Sequence, residues 1–203
     1  MSSPKPGSAT TSPSSSAPSQ HAGIDRQCEK AWALRYDSPA QAVKEARGIL
    51  KSARKHGYAW GEARCHQIMG ACKSLQNDFD DALENLQTAL DLYQQRNHKA
   101  SAAEPTAHIA TTYMLREQFD VALNSQFRAL ELARDHRLKQ VEANTLYNIG
   151  VIYNELGEHE QSLKFHQKAL ALKKQNDADE FNIITSLSAM GEVYFKGERY
   201  VTA

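Results

Sequence analysis

Two cysteines have the spacing of side chains that could bind a metal together. Cys65 and Cys72 are seven residues apart, and His66 follows the first of them. Seven residues span two turns of an α-helix, which would place both thiols on one face. A metal site needs three or four converging ligands that are supported by further hydrogen bonds. We therefore favour packing in a helical core, and with Cys28 the three cysteines form no even set for a disulfide framework.

Two histidines have the same spacing. His159 and His166 are seven residues apart, and Glu158 and Glu160 flank the first. Such a set could bind a metal or serve as an acid–base pair. Both histidines also occupy positions where an internal repeat of this chain expects a ring that packs between helices, and this interpretation is favoured.

Longer catalytic motifs are absent from the sequence. It contains no G-x-x-x-x-G-K-[ST] phosphate loop, no G-x-S-x-G nucleophile elbow, no H-E-x-x-H zinc motif and no G-G-D-E-F cyclase motif. The sequence therefore predicts a chain that is not an enzyme, with no cofactor and no resident metal.

The composition limits the classes of partner. Of 203 residues, 41% are hydrophobic and 24% are charged, which is typical of a globular domain. Lys plus Arg equals Asp plus Glu at 24 each, which favours neither nucleic acid nor a membrane surface as partner. No apolar run approaches the roughly 20 residues that span a bilayer. We expect a cytoplasmic protein.

The N-terminal segment differs in composition from the rest of the chain. Its first 20 residues include eight serines and four prolines, and Met1 is the only large apolar side chain. Such a segment buries too little surface to offset the entropy of ordering. It also lacks the apolar core of a secretory signal. The sequence predicts a disordered tail over residues 1–22.

Residues 23–203 contain an internal repeat with a period of 40. Its anchor position holds, with one spacing of 41 at the end, Lys30, Gly70, Ala110, Gly150 and Gly191. The position twelve residues further on is always small: Ala42, Ala82, Ala122, Ser162 and Ala203. A ring or turn former stands nine after the anchor: Pro39, Phe79, Phe119, His159 and Tyr200. A period in this range indicates a solenoid, here of four complete units and a truncated fifth.

Each unit has the signals of a helix, a turn and a second helix. Ser38 and Asp78 stand where a helix N-cap is expected. Gly157 and Gly197 stand where a first helix would end in a left-handed residue. The predicted fold is all-α, a right-handed α-solenoid of helix–turn–helix repeats.

The unit around Gly150 resembles the tetratricopeptide repeat, whose pattern runs W-x2-L-G-x2-Y, then A-x3-F, then A. The matching residues are Leu146, Ile149, Gly150, Tyr153, Ser162, His166 and Ala169. The tryptophan and the late proline of the pattern are missing, and Lys73 replaces the tyrosine in the unit around Gly70. The period of 40, rather than about 34, is similar to the repeats of kinesin light chains, polarity adaptors and bacterial peptide-sensing regulators.

The resemblance implies a module that binds a protein or peptide, in one of two settings. The opening of the array, from Ala31 to Tyr36, resembles the regulatory arrays of bacterial signalling proteins that carry a diguanylate cyclase, adenylate cyclase or histidine kinase domain. The alternative is a free-standing adaptor similar to the kinesin light chains. The family's groove positions, carried onto this sequence, predict as partner-binding residues Arg64, Gln67, Asn144, Tyr147 and Asn154. The last unit carries no polar cap, so we also expect a homo-oligomer through its apolar end.

Overall fold

The computed structural model describes residues 17–176 and 180–201, and all regular elements in these ranges are helices. They are α1 (Ala17–Ala33), α2 (Pro39–Lys55), α3 (Ala59–Leu75), α4 (Phe79–Gln95), α5 (Ala103–Leu115), α6 (Phe119–Asp135), α7 (Lys139–Glu155), α8 (His159–Gln175) and α9 (Glu180–Val201). A short 3₁₀ segment, Lys99–Ala102, leads into α5. The all-α prediction is confirmed.

The first helix begins earlier than the sequence predicts. α1 starts at Ala17, inside the range 1–22 that the sequence assigns to the tail, whereas residues 1–16 lie outside the described residues. The His21 ring stacks on Tyr58 at a centroid distance of 4.0 Å. The Tyr58 hydroxyl donates to both carboxylate oxygens of Asp25 at 2.9 Å. These contacts hold the N-terminal half of α1 against the turn between α2 and α3.

Three-residue turns join most of the helices at regular intervals. The middle residue of each adopts a left-handed conformation, with φ between 56° and 79°, and these residues are 20 apart: Gly57, Asn77, Asn97, Glu117, Arg137 and Gly157. The residue after each closes the helix end; for example, the Asp78 N–H donates to the Lys73 carbonyl at 3.0 Å. Each 40-residue unit is thus two half-units of 20 residues.

The turn predicted at Gly197 is wrong. α9 continues through this glycine to Val201, so Tyr200 belongs to the same helix and Ala203 lies outside the described residues. Glycine inside a helix costs only about 1 kcal/mol relative to alanine, and the backbone hydrogen bonds of a continuing helix offset that cost.

The helices form two layers. The first helices of the units (α1, α3, α5, α7 and α9) contact one another in order along the stack. No two of the second helices (α2, α4, α6 and α8) make such a contact within the described ranges. The first helices are therefore closer together, and the stack curves so that they form its inner surface, which we call the concave face.

Small residues let the two helices of a unit pack closely. A Cβ atom added to Gly70 would lie 2.5 Å from Leu86 Cγ, and one added to Gly150 would lie 2.8 Å from the His166 ring. Twelve residues beyond Gly150, the Ser162 hydroxyl donates to the Gly150 carbonyl at 2.8 Å. The anchor position and the small residue twelve positions later therefore lie at the close contact between the two helices.

Candidate functional site

The concave face contains a cavity of about 210 Å³ near the beginnings of α3, α5 and α7, which we call the first cavity. Its lining residues are Trp60, Arg64, Gln67, Tyr93, Ala100, Ser101, Glu104, Leu138 and Val141. Helices from three successive units contribute to it, so the cavity depends on the stacking of units and not on one unit alone.

The polar groups of the first cavity bond to one another. Gln67 is buried, and its amide nitrogen donates to Glu104 Oε2 at 2.6 Å. Arg64 Nη1 donates to the same carboxylate oxygen at 3.1 Å and to Gln67 Oε1 at 3.2 Å. The Tyr93 hydroxyl also donates to Gln67 Oε1, at 3.3 Å. The side chains of Arg64, Gln67, Tyr93 and Glu104 therefore bond to one another within the cavity.

Apart from Ser101, the remaining walls of the first cavity are apolar. The Trp60 ring meets Tyr93 edge to face at a centroid distance of 5.2 Å. Leu138 and Val141, at the start of α7, also line the cavity. Because the polar groups already have partners, an apolar side chain is the ligand group that this cavity accommodates at the least desolvation cost.

A second cavity, of about 270 Å³, lies between α7, α8 and α9. Its lining residues are Tyr147, Val151, Asn154, Glu155, His166, Thr185, Ser188, Ala189 and Glu192. Asn154 is 8% exposed, and its side-chain oxygen accepts from His159 Nδ1 at 3.3 Å. Its amide nitrogen makes no hydrogen bond to any of the described residues, which leaves a donor at this cavity.

Charged residues border the second cavity. Lys196 Nζ lies 3.0 Å from Glu192 Oε1 and 3.4 Å from Glu155 Oε1. All three side chains are substantially exposed, so these ion pairs contribute little to stability and can rearrange around a ligand. Burial, together with the Glu192 charge, raises the pKa of Tyr147.

The floor of the second cavity holds Tyr147 in place. The buried His166 ring lies 5.2 Å from the Tyr147 ring, and Lys173 Nζ lies 4.8 Å from the centre of the same ring. Lys173 is only 3% exposed and donates to Ser186 Oγ at 3.0 Å. Sequence reasoning missed this lysine. The repeat contained a signal, because a lysine stands where the two preceding units have Tyr93 and Ala133.

The five residues predicted to bind a partner fall into two groups on the concave face. Arg64 and Gln67 line the first cavity, whereas Tyr147 and Asn154 line the second. Asn144 is exposed on α7 between the two groups. Gln67 is covered by its own network, so it supports Arg64 and does not present a free amide.

Burial of His166 makes the stability of the fold depend on pH. Burial, and secondarily the charge of Lys173, lowers the pKa of His166 to about 4, against about 6.5 in an unfolded chain. Between these values the unfolded state binds more protons, so the free energy of unfolding should fall by roughly 3 kcal/mol as the pH drops from 6.5 to 4. His166→Leu, which copies Leu86 at the equivalent position, should flatten this dependence in chemical denaturation. If the free energy of unfolding depends on pH equally in the wild type and in His166→Leu, this prediction is wrong.

The residues that suggested metal chemistry have packing contacts instead. Cys65 and Cys72 are both fully buried, and His166 packs on Gly150. Within residues 17–176 and 180–201, no three His, Cys, Asp or Glu side chains converge on one point. None of the helices in these ranges is both long and apolar enough to cross a bilayer.

Solved structures with the same fold come from several kinds of protein. BtubC from P. vanneervenii aligns with a TM-score of 0.60 at 17% identity, over 92% of this chain and 88% of that one. Aspartyl phosphate phosphatase F from Bacillus subtilis aligns at 0.72 and 13% identity, over 89% of this chain and 49% of that one. A Rap protein complexed with competence and sporulation factor aligns with a TM-score of 0.70 at 15% identity, over 90% of this chain and 55% of that one. At these identities the likeness concerns the fold alone.

The match to a sequence family is direct. No curated protein sequence matches the chain. The profile of the tetratricopeptide repeat family matches residues 99–175 and 141–203, which together cover just over half of the chain. The structure repeats the helix–turn–helix unit in the remaining half with the same 20-residue spacing of its turns. The chain therefore belongs to the tetratricopeptide repeat family.

Proposed function

We propose that the concave face binds an extended segment of a partner protein at two points. An apolar side chain of the segment enters the first cavity, and its backbone carbonyl accepts a hydrogen bond from the Asn154 amide in the second. The observation that supports this most is that α7 contributes to both cavities, through Val141 to the first and Tyr147 to the second.

The spacing of the two cavities suits a short extended peptide. Val141, Asn144, Tyr147, Val151 and Asn154 follow one another at intervals of three or four residues, which places them on one stripe of α7. Val141 and Val151 are ten residues apart, or about 15 Å at 1.5 Å per residue. An extended chain covers that distance in about five residues. The exposed Asn144 amide lies along this path and can both donate to and accept from a peptide backbone.

We expect binding to depend on side chains of both cavities. Tyr147→Ala and Asn154→Ala in the second, and Trp60→Ala in the first, should each weaken binding by about 1 kcal/mol or more if they are anchor residues. Lys51→Ala, an exposed change on the outer helix α2, is the matched control. A pull-down from cell extract would identify a partner, and calorimetry would compare the four variants. If all four bind like the wild type, the interface lies elsewhere.

For the biological setting, we infer the regulatory array of a bacterial signalling protein, with a free-standing adaptor as the alternative. The fold is shared with the Bacillus phosphatase and with the Rap protein that was solved in complex with competence and sporulation factor. It is also shared with a putative kinesin light chain from Podosopora anserina, at a TM-score of 0.62. The gene sequence beyond Ala203 discriminates between them: a catalytic output domain supports the first setting, and further repeats support the second.

Self-association through the last unit is a prediction that two structural observations support. On α9, Leu187 is 49% exposed, whereas Leu146 at the equivalent position of α7 is 3% exposed. A Cβ atom added to Gly191 would meet nothing within 4 Å, unlike one added to Gly150. We propose that a helix of a second copy packs on this face. Sedimentation velocity of the chain and of Leu187→Glu would test it, and a monomeric wild type at high concentration would contradict it.

A further inference from the structure

The fold brings together two thiols that are far apart in the sequence. Cys28 on α1 and Cys65 on α3 are 37 residues apart, and their sulfur atoms are 3.9 Å from each other. A disulfide requires about 2.05 Å between the sulfurs, so they must approach each other by about 2 Å to be joined. Cys72 lies two helical turns beyond Cys65 on the same helix and makes no sulfur–sulfur contact among the described residues.

We propose that Cys28 and Cys65 are a site of disulfide formation that fastens α1 to α3 when the chain meets a hydroperoxide. The Cys28 thiolate attacks one oxygen of hydrogen peroxide, the O–O bond breaks, and the displaced hydroxide takes up a proton to leave as water. This converts Cys28 to a sulfenic acid. The Cys65 sulfur then attacks the Cys28 sulfur, and the sulfenic oxygen leaves as a second water. Two thiols and one peroxide thus give one disulfide and two waters.

The roles of the two cysteines follow from their contact. The contact with the Cys65 thiol lowers the pKa of Cys28. The same contact, together with burial, raises the pKa of Cys65. Since the thiolate is the nucleophile, Cys28 is the cysteine that the peroxide oxidises first. Cys65 is the one that resolves the sulfenic acid.

Access to the pair depends on movement of α1. Cys28 is 2% exposed and Cys65 is 0% exposed. In the described part of the chain, α1 packs mainly on α2 and α3, and its last turn also meets α5 through the Trp32 and His108 rings. It is covered by fewer helices than the central ones, so it can open locally at a lower cost. Its end also carries Trp32, whose ring lies 5.7 Å from the Arg64 guanidinium carbon. A disulfide would therefore hold the N-terminal end of the concave face together.

Mass spectrometry on the whole chain tests this inference. Treatment of the folded wild type with hydrogen peroxide should lower the intact mass by ~2 Da, and a digest without reductant should yield a peptide pair joined through Cys28 and Cys65. Cys72→Ser should behave like the wild type, whereas Cys28→Ser should lose the crosslink. The oxidised chain should also melt at a higher temperature than the same sample after reduction, because the crosslink restricts the unfolded state.

Two results would overturn it. One is a treated chain that keeps its helical circular dichroism while all three thiols still react with iodoacetamide after denaturation. The other is a crosslink that contains Cys72 or joins two chains. Neither depends on the variants folding, because both are read on the wild type.

Discussion

Ala122→Glu is expected to lower the free energy of unfolding by several kcal/mol, which is enough to unfold much of the array at 37 °C. Ala122 lies on α6, is fully buried and stands twelve residues after the anchor Ala110. Ser162, at the equivalent position of the next unit, hydrogen-bonds directly to the backbone of the facing helix, which shows how little space this position has. A carboxylate there would be buried without a cationic partner.

Val121→Glu is the matched control for this prediction. Val121 precedes Ala122 on the same helix but is 45% exposed, so the same carboxylate remains in water. We expect its melting temperature by circular dichroism to stay close to that of the wild type. That of Ala122→Glu should fall by about ten degrees, in line with about 2–4 °C per kcal/mol for chains of this size. Similar melts for the two variants would mean that the repeat register is wrong.

The repeat register could be predicted because its determinants are local. Gly150 and Ser162 are twelve residues apart and in contact, and a Cβ atom added to Gly70 would lie 3.0 Å from the carbonyl oxygen of Ala82 at the same separation. At Gly157 the preference of glycine for the left-handed conformation favours the turn. Gly197 has the same sequence signal, yet α9 continues through it. A turn also needs a second helix that packs back on the first, and a single residue does not determine that.

The groove could be predicted in position but not in detail. Tyr147 and Asn154 do line a cavity on the inner helices, because their positions follow from the repeat. Gln67 was expected to face a ligand, but its amide bonds to Glu104 of the next unit, 37 residues away. That contact depends on which side chains occupy equivalent positions in neighbouring units. Lys173 is a further example, since its partner Ser186 belongs to the following helix. The repeat period identifies which positions line the groove. The side-chain contacts between neighbouring units can be read only from the stacked structure.

Gly70→Ala is expected to destabilise the chain although alanine favours a helix more than glycine does. Helix propensity alone would add about 1 kcal/mol of stability at a glycine inside a helix. The added Cβ atom, however, would lie 2.5 Å from Leu86 Cγ and 3.0 Å from the Ala82 carbonyl oxygen. The carbonyl is backbone of α4 and cannot rotate away, so the two helices must separate, at a cost of about 1–3 kcal/mol or more. We expect a net loss on the order of 1–2 kcal/mol in chemical denaturation.

The same substitution should have the opposite sign where no second helix faces the glycine. Gly48 is exposed on α2, and Gly191 holds the anchor position on α9; a Cβ atom added to either meets nothing within 4 Å. At concentrations where the chain is a monomer, Gly48→Ala and Gly191→Ala should each stabilise it by up to about 1 kcal/mol. Gly70 and Gly191 are equivalent in the repeat, so sequence alone would assign them the same effect. A stabilised Gly70→Ala would show that the helices of its unit are less closely packed than the 2.5 Å approach implies. A destabilised Gly191→Ala would show that a helix covers α9 in solution.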